Sequence, residues 1–169
     1  MSDSLEMNGM TEASPSVVYL DTMSFIFAVE GEPSLAKPMR SLFEALRAHP
    51  GAGVTSELTL AEVLAGSEVP HSPPIKRAYL DLIVWSKFLD LVPISRDILY
   101  GSADLRFAHR EAHGKKLKLP DAIHLVTAIQ RRCQFFASAG KGINTPVNVN
   151  MKKVAPDAGG IAEILRVLA

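Results

Sequence analysis

Val17-Val18-Tyr19-Leu20 is apolar on both faces of any strand it forms, and it stops abruptly at Asp21. A strand with no polar face must be covered from both sides, which places it centrally in a parallel sheet between helices. The rest of the chain is consistent with that. Apolar residues at spacings of three and four predict helices over 22–29, 34–49, 56–65, 75–89, 95–113, 120–132 and 161–168. Within the fifth of these, Ile98, Leu99, Ala103, Leu105 and Phe107 are expected to face mostly inward. Pro38 and Pro120 fall near helix starts, where the missing N–H costs little. Further strands are expected near 50–54, 91–94, 134–137 and, more weakly, 147–154. Strands alternating with helices predict a three-layer α/β/α fold with a central, mainly parallel sheet.

The chain has 169 residues, 47% of them hydrophobic, enough for one packed core. Lys+Arg and Asp+Glu number 18 each, so any basic surface must come from local clustering. The single cysteine, Cys133, excludes an internal disulfide and a cysteine-rich zinc site, and it fits a reducing compartment. No run approaches the roughly 18 apolar residues of a membrane span. Residues 1–15 are polar and lack the basic start and apolar stretch of a secretion signal. The expectation is a flexible tail over 1–15 ahead of one domain over 16–169, in the cytoplasm.

Three acids stand where chemistry is possible. In open parallel sheets, ligands bind beyond the carboxyl ends of strands, where strand order reverses. Asp21 occupies such an end, although an Asp there serves equally as a helix cap. Glu62 lies among Leu58, Leu60, Ala61, Val63 and Leu64, and a half-buried carboxylate needs a cation or a hydrogen-bond donor. A solvent-facing Glu is the plainer alternative, and Glu57 suits the helix start better. Asp121 follows Pro120 and shares a helix face with His124 and Leu125, though a helix-start Asp is common. His124 is expected as a partly buried imidazole rather than a ligand, because Mg²⁺ prefers oxygen.

Taken together, these positions resemble the PIN nuclease family. Val-Val-Tyr-Leu-Asp-Thr (17–22) is similar to the opening strand and first aspartate of PIN domains. Thr-Ser-Glu-Leu-Thr-Leu-Ala-Glu-Val-Leu (55–64) resembles the second motif, with Glu62 as its acid. Leu-Lys-Leu-Pro-Asp-Ala-Ile-His-Leu-Val-Thr-Ala (117–128) resembles the third, with Asp121. The resemblance runs from about 17 to 142. It implies a five-stranded parallel sheet and a Mg²⁺ or Mn²⁺ site held by Asp21, Glu62 and Asp121. It further implies a VapC-like endoribonuclease that leaves 5′-phosphate and 3′-hydroxyl ends, usually dimeric and paired with a small antitoxin.

The sequence departs from the family at two places. Ser138 matches the Thr of the usual Thr-x-Asp and is a candidate for orienting a water or phosphate, but Gly140 stands where the fourth acid belongs. Met23 replaces the usual Asn or Ser. Losing one carboxylate makes a second cation less welcome, and an inward Lys141 would repel it. Two readings stay open: a one-metal ribonuclease, or a weakened PIN-like domain that works as a protein- or RNA-binding module. Asp157 compensates only if the C-terminal segment folds back. Arg106, Arg110, Lys115, Lys116 and Lys118 form a basic cluster suited to an RNA backbone, or equally to a solvated helix end. Aromatic residues look too sparse there for base stacking. The face around Trp85 suits either the core or a dimer contact. Gly-x-Gly-x-x-Gly and Gly-x₄-Gly-Lys-Ser/Thr phosphate cradles are absent, as is a Gly-x-Ser-x-Gly elbow.

Overall fold

A computed structural model describes residues 16–169. The tail expected over 1–15 lies outside the described residues. Five parallel strands, β1 (Val18–Leu20), β2 (Gly53–Ser56), β3 (Leu89–Val92), β4 (Phe135–Ala137) and β5 (Lys152–Val154), pair in the order β3-β2-β1-β4-β5. They are joined through α1 (Thr22–Glu30), α2 (Pro33–Ala48), α3 (Glu57–Leu64), α4 (Pro73–Leu80), α5 (Arg96–His113) and α6 (Leu119–Gln130), and α7 (Ala158–Leu168) follows β5. The sheet is the five-stranded parallel one that the resemblance implies.

The alternation of side chains along β1 explains its central place. Val18 and Leu20 point into the core shared with Phe25 of α1, Met39 and Leu42 of α2, Tyr79 of α4 and Ile161 of α7. Tyr19 points the other way, among Ile98 of α5, Leu125 of α6 and Phe136. Its ring stacks on Phe136, with centroids 5.4 Å apart and planes within 9°. Each face of the sheet is therefore covered by its own helical layer. Strand order runs from β1 through β2 to β3 in one direction, then returns to the opposite side of β1 for β4 and β5. That reversal puts a crevice beyond the carboxyl ends of β1 and β4.

Several boundaries differ from expectation for local reasons. The helix expected over 75–89 is split: α4 ends at Leu80, and a π-helical turn over Asp81–Trp85 widens the path into β3. Trp85 is 49% exposed, with the Arg77 guanidinium 4.6 Å over its ring, so the cation holds it at the surface rather than in the core. On α5, Leu99, Tyr100, Ala103 and Phe107 are exposed, correcting the inward assignment of Leu99, Ala103 and Phe107. The helix buries only a narrow stripe, Ile98, Ser102 and His109, against α6. β5 covers only Lys152–Val154 of the alternating 147–154 segment.

Pro33, not Ser34, opens α2, which leaves Pro38 inside the helix instead of in its first turn. Pro38 cannot donate to the Ser34 carbonyl one turn back. Pro38→Ala is expected to restore that bond. It should stabilise the chain by roughly 1–2 kcal/mol after the looser unfolded state is discounted. The corresponding rise in thermal midpoint is about 2–4 °C per kcal/mol, readable by calorimetry.

Candidate active site

Asp21 leaves β1 in extended conformation and caps α1, its Oδ1 accepting from the Ser24 amide at 3.3 Å. Its own amide donates to the Ala137 carbonyl at 3.2 Å, so the ends of β1 and β4 are tied together and Ser138 comes alongside. Glu62 projects from α3, which Ser56 caps by accepting from the Leu58 amide at 3.1 Å. Asp121 lies in the first turn of α6, behind Pro120. Asp21, Glu62, Asp121 and Ser138 all line one cleft of about 240 Å³, together with Thr22, Met23, His124, Gly140 and Ile143. Three acids far apart in the chain therefore share a single opening at the strand-order reversal.

Two residues that sequence reasoning did not assign to the site organise it. His124 is buried, with Nδ1 2.7 Å from the Tyr19 hydroxyl and Nε2 2.8 Å from Glu62 Oε2. A carboxylate only accepts, so Nε2 carries a hydrogen, while the Tyr19 hydroxyl and Nδ1 share the second bond. The Thr22 hydroxyl donates to the same Glu62 oxygen. The i,i+3 spacing of Asp121 and His124 signalled a shared helix face. Nothing local marked Thr22, whose contact spans 40 residues of sequence.

The acids differ electrostatically. Burial raises the Asp21 carboxyl above the usual range, against opposing help from the Ser138 hydroxyl, the His124 charge and the Ser24 and Met23 amides. Burial likewise raises Asp121; His124, Lys118 and Lys153 oppose this, while the Glu62 charge adds to it. Burial pushes Glu62 upward too, but the His124 and Thr22 hydrogen bonds and the His124 charge outweigh it and leave Glu62 low. Two of the three carboxyls in the cleft are thus raised by burial and the third is held low by its hydrogen-bond donors.

Among the described residues, no three His, Cys, Asp or Glu side chains close directly on a bare ion. The donor set nonetheless suits a hydrated one. It is all oxygen at the rim, and Mg²⁺ keeps several waters while using one or two carboxylates. The fourth acid is replaced as the sequence indicates: Gly140 lines the cleft. Lys141 is exposed and is not part of the lining, so it adds no inward repulsion. Asp157 caps α7 by accepting from the Gly160 amide at 2.9 Å and does not line the cleft.

Of the basic cluster, Arg106, Arg110 and Lys116 gather with Phe107 at a separate recess of about 200 Å³. Phe107 is 61% exposed, with the Arg110 guanidinium 5.4 Å from its ring, so an aromatic face is present where none was expected. Lys115 is exposed and offers only its carbonyl locally, to His109 Nδ1 at 2.9 Å. Lys118 precedes α6, and its charge acts on Asp121.

A parallel sheet ordered 3-2-1-4-5 with acids converging at its reversal point defines a small class of α/β proteins. The PIN domain model matches residues 18–145, well over half of the chain, and the chain belongs to the PIN family. No curated protein matches it. Among solved structures, it is similar to VapBC2 from Rickettsia felis bound to a promoter DNA fragment, at TM-score 0.61 and 18% identity, over 82% of this chain and 98% of that one. A toxin–antitoxin complex from Klebsiella pneumoniae matches at TM-score 0.56 and 26% identity, over 83% and 98%. FitAcB from Neisseria gonorrhoeae matches at TM-score 0.60 and 17% identity, over 83% and 98%. No helix among the described residues is long and apolar enough to cross a membrane.

Proposed function

We propose that the chain is a divalent-metal-dependent endoribonuclease and the toxin of a toxin–antitoxin pair. The observation that carries this reading is the common cleft of Asp21, Glu62 and Asp121 in a PIN-family fold. These three hold one Mg²⁺ or Mn²⁺, which when bound supplies an acidified water and offsets phosphate charge. His124 and Thr22 fix the Glu62 carboxylate, and they keep it ionised. Ser138, buried beside Asp21, orients a water or phosphate oxygen.

Arg106, Arg110 and Lys116 at their own recess, with the exposed Lys115, track the RNA backbone, and the Phe107 ring is available to stack a base. The solved toxin–antitoxin complexes support a small antitoxin as partner. The exposed Leu99 and Tyr100 of α5 offer apolar area to it or to a second copy of the chain.

The direct test is cleavage of single-stranded RNA with Mn²⁺ and with excess chelator. Product ends bearing 5′-phosphate, formed only with the ion, are expected. Absence of cleavage together with chelator-insensitive RNA binding would establish the alternative, a binding module, for which Gly140 is the motivating observation. In the same assay, Arg106→Ala and Arg110→Ala should each weaken RNA binding uniformly across sequences. Each should also reduce the slope of log affinity against log salt by about 0.7. An unchanged slope would remove that residue from the RNA path.

A further inference from the structure

Two histidines that the acid cleft does not use stand one turn apart at the end of α5, in His109-Arg110-Glu111-Ala112-His113. Residues four apart share a helix face, and the two ring centres lie 4.7 Å apart with their planes at 53°. Gly114 ends the helix in left-handed conformation, φ 65°, and turns the chain back. The Lys115 carbonyl thereby comes 2.9 Å from His109 Nδ1. A carbonyl only accepts, so Nδ1 carries a hydrogen, and in its neutral form the ring presents a lone pair at Nε2. That nitrogen is buried, and among the described residues nothing hydrogen-bonds to it. His113 is exposed. Both rings line a recess of about 230 Å³, with Asn144 and Asn148 of the segment between β4 and β5 on its other side.

We infer that His109 and His113 form a second metal site, separate from the acid cleft, for a divalent ion that prefers nitrogen, Zn²⁺ above all. It does not depend on the nuclease reading. Imidazole suits Zn²⁺, Cu²⁺ and Ni²⁺, whereas Mg²⁺ takes oxygen, so the two places on the molecule sort ions by chemistry. Two histidines at this helical spacing can reach one ion from a single face. The hydrogen bond from His109 Nδ1 to a backbone carbonyl is the contact that fixes the tautomer and orientation of a ligating imidazole. Zn–N bonds of about 2.0–2.1 Å at a tetrahedral angle set two imidazole centres about 5 Å apart. The rings already stand at 4.7 Å, so they have to turn toward an ion but not to approach each other. An ion would also relieve the buried, unpartnered Nε2, which is costly to leave in apolar surroundings such as Leu105 and Val147. The amide oxygens of Asn144 and Asn148, and water, are the further donors at hand.

The test uses the full-length, untagged chain carrying Asp121→Asn, which weakens the acid cleft as a rival site. Zn²⁺ titrated by calorimetry should bind it as one ion at micromolar concentration, and adding His113→Ala should weaken that binding by more than about tenfold. Cu²⁺ on the same two chains should show electron-spin-resonance splitting from two imidazole nitrogens in the first and from one in the second. Zn²⁺ should raise the thermal midpoint of the first chain and leave that of the second in place. Without metal the two should melt alike, because His113 is exposed. If His113→Ala changes neither the Zn²⁺ affinity nor the Cu²⁺ spectrum, the pair is only a contact at a helix end, and the site is overturned. Zn²⁺ binding that is present in wild type and absent from Asp121→Asn would assign the ion to the acid cleft, and overturns the site equally.

Discussion

Replacing Asp21 with asparagine is expected to cut metal-dependent RNA cleavage by about a thousandfold, the scale on which removing one electrostatic element of an active site acts, while making the metal-free protein more stable at neutral pH. Burial raises the Asp21 carboxyl, so the folded state holds that proton more tightly than the unfolded chain does. For such a group, stability is greatest below the unfolded pKa and falls as pH rises through the folded one. At neutral pH, the charged Asp21 therefore works against the fold. Asparagine removes the charge and keeps the helix cap, because its carbonyl oxygen still accepts from the Ser24 amide.

Burial raises Asp121 as well, so Asp121→Asn should act in the same direction. Glu62 has the opposite sign: held low, it contributes stability above its unfolded pKa, and this is lost as pH falls. Metal-free wild type should thus melt higher in mild acid than at neutral pH, with the gain shrinking in Asp21→Asn. Mn²⁺ should stabilise wild type at neutral pH by mass action and leave Asp21→Asn unmoved. An Asp21→Asn chain that melts lower than wild type without metal would show that the carboxylate serves the fold and not a cation.

The strand β1 and its central position were legible in the sequence because they rest on local chemistry. An apolar run has to be buried, and an Asp at its end has nowhere to go but the rim. The three acids, by contrast, stood out only through the resemblance to a known family, a cap or a solvent-facing side chain being the plainer local reading of each. What pattern could not supply was anything depending on contacts between distant segments. The π-helical turn at Asp81–Trp85 and the exposed Trp85 arise from how α4 reaches β3 and from Arg77, not from periodicity. The burial of α5 was overestimated because its apolar residues wrap more of the helix than α6 covers. Lys153 is one of two adjacent lysines, and only the fold shows that it is the one reaching the Gly140 and Ile143 carbonyls.

The largest structural cost is expected at His124, which sequence alone marks as nothing more than a partly buried imidazole. It joins the Tyr19 hydroxyl, fully buried in the sheet, to the half-buried Glu62 carboxylate. Histidine to leucine keeps much of the volume but leaves both polar partners short of a hydrogen bond. Each stranded group costs about 1–3 kcal/mol, so a loss of roughly 2–4 kcal/mol is expected. At about 2–4 °C per kcal/mol, that is visible in any thermal melt. The functional consequence follows from the same bonds. Without His124, burial dominates Glu62 and raises its carboxyl, so Mn²⁺ affinity should weaken and depend more steeply on pH near neutrality. Thr22→Val removes the other donor to Glu62 without disturbing Tyr19, and should reproduce the metal effect in weaker form with little loss of stability. If His124→Leu destabilises the chain while Thr22→Val leaves Mn²⁺ binding untouched at every pH, Glu62 does not hold the ion. The cation would then rest on Asp21 and Asp121 alone.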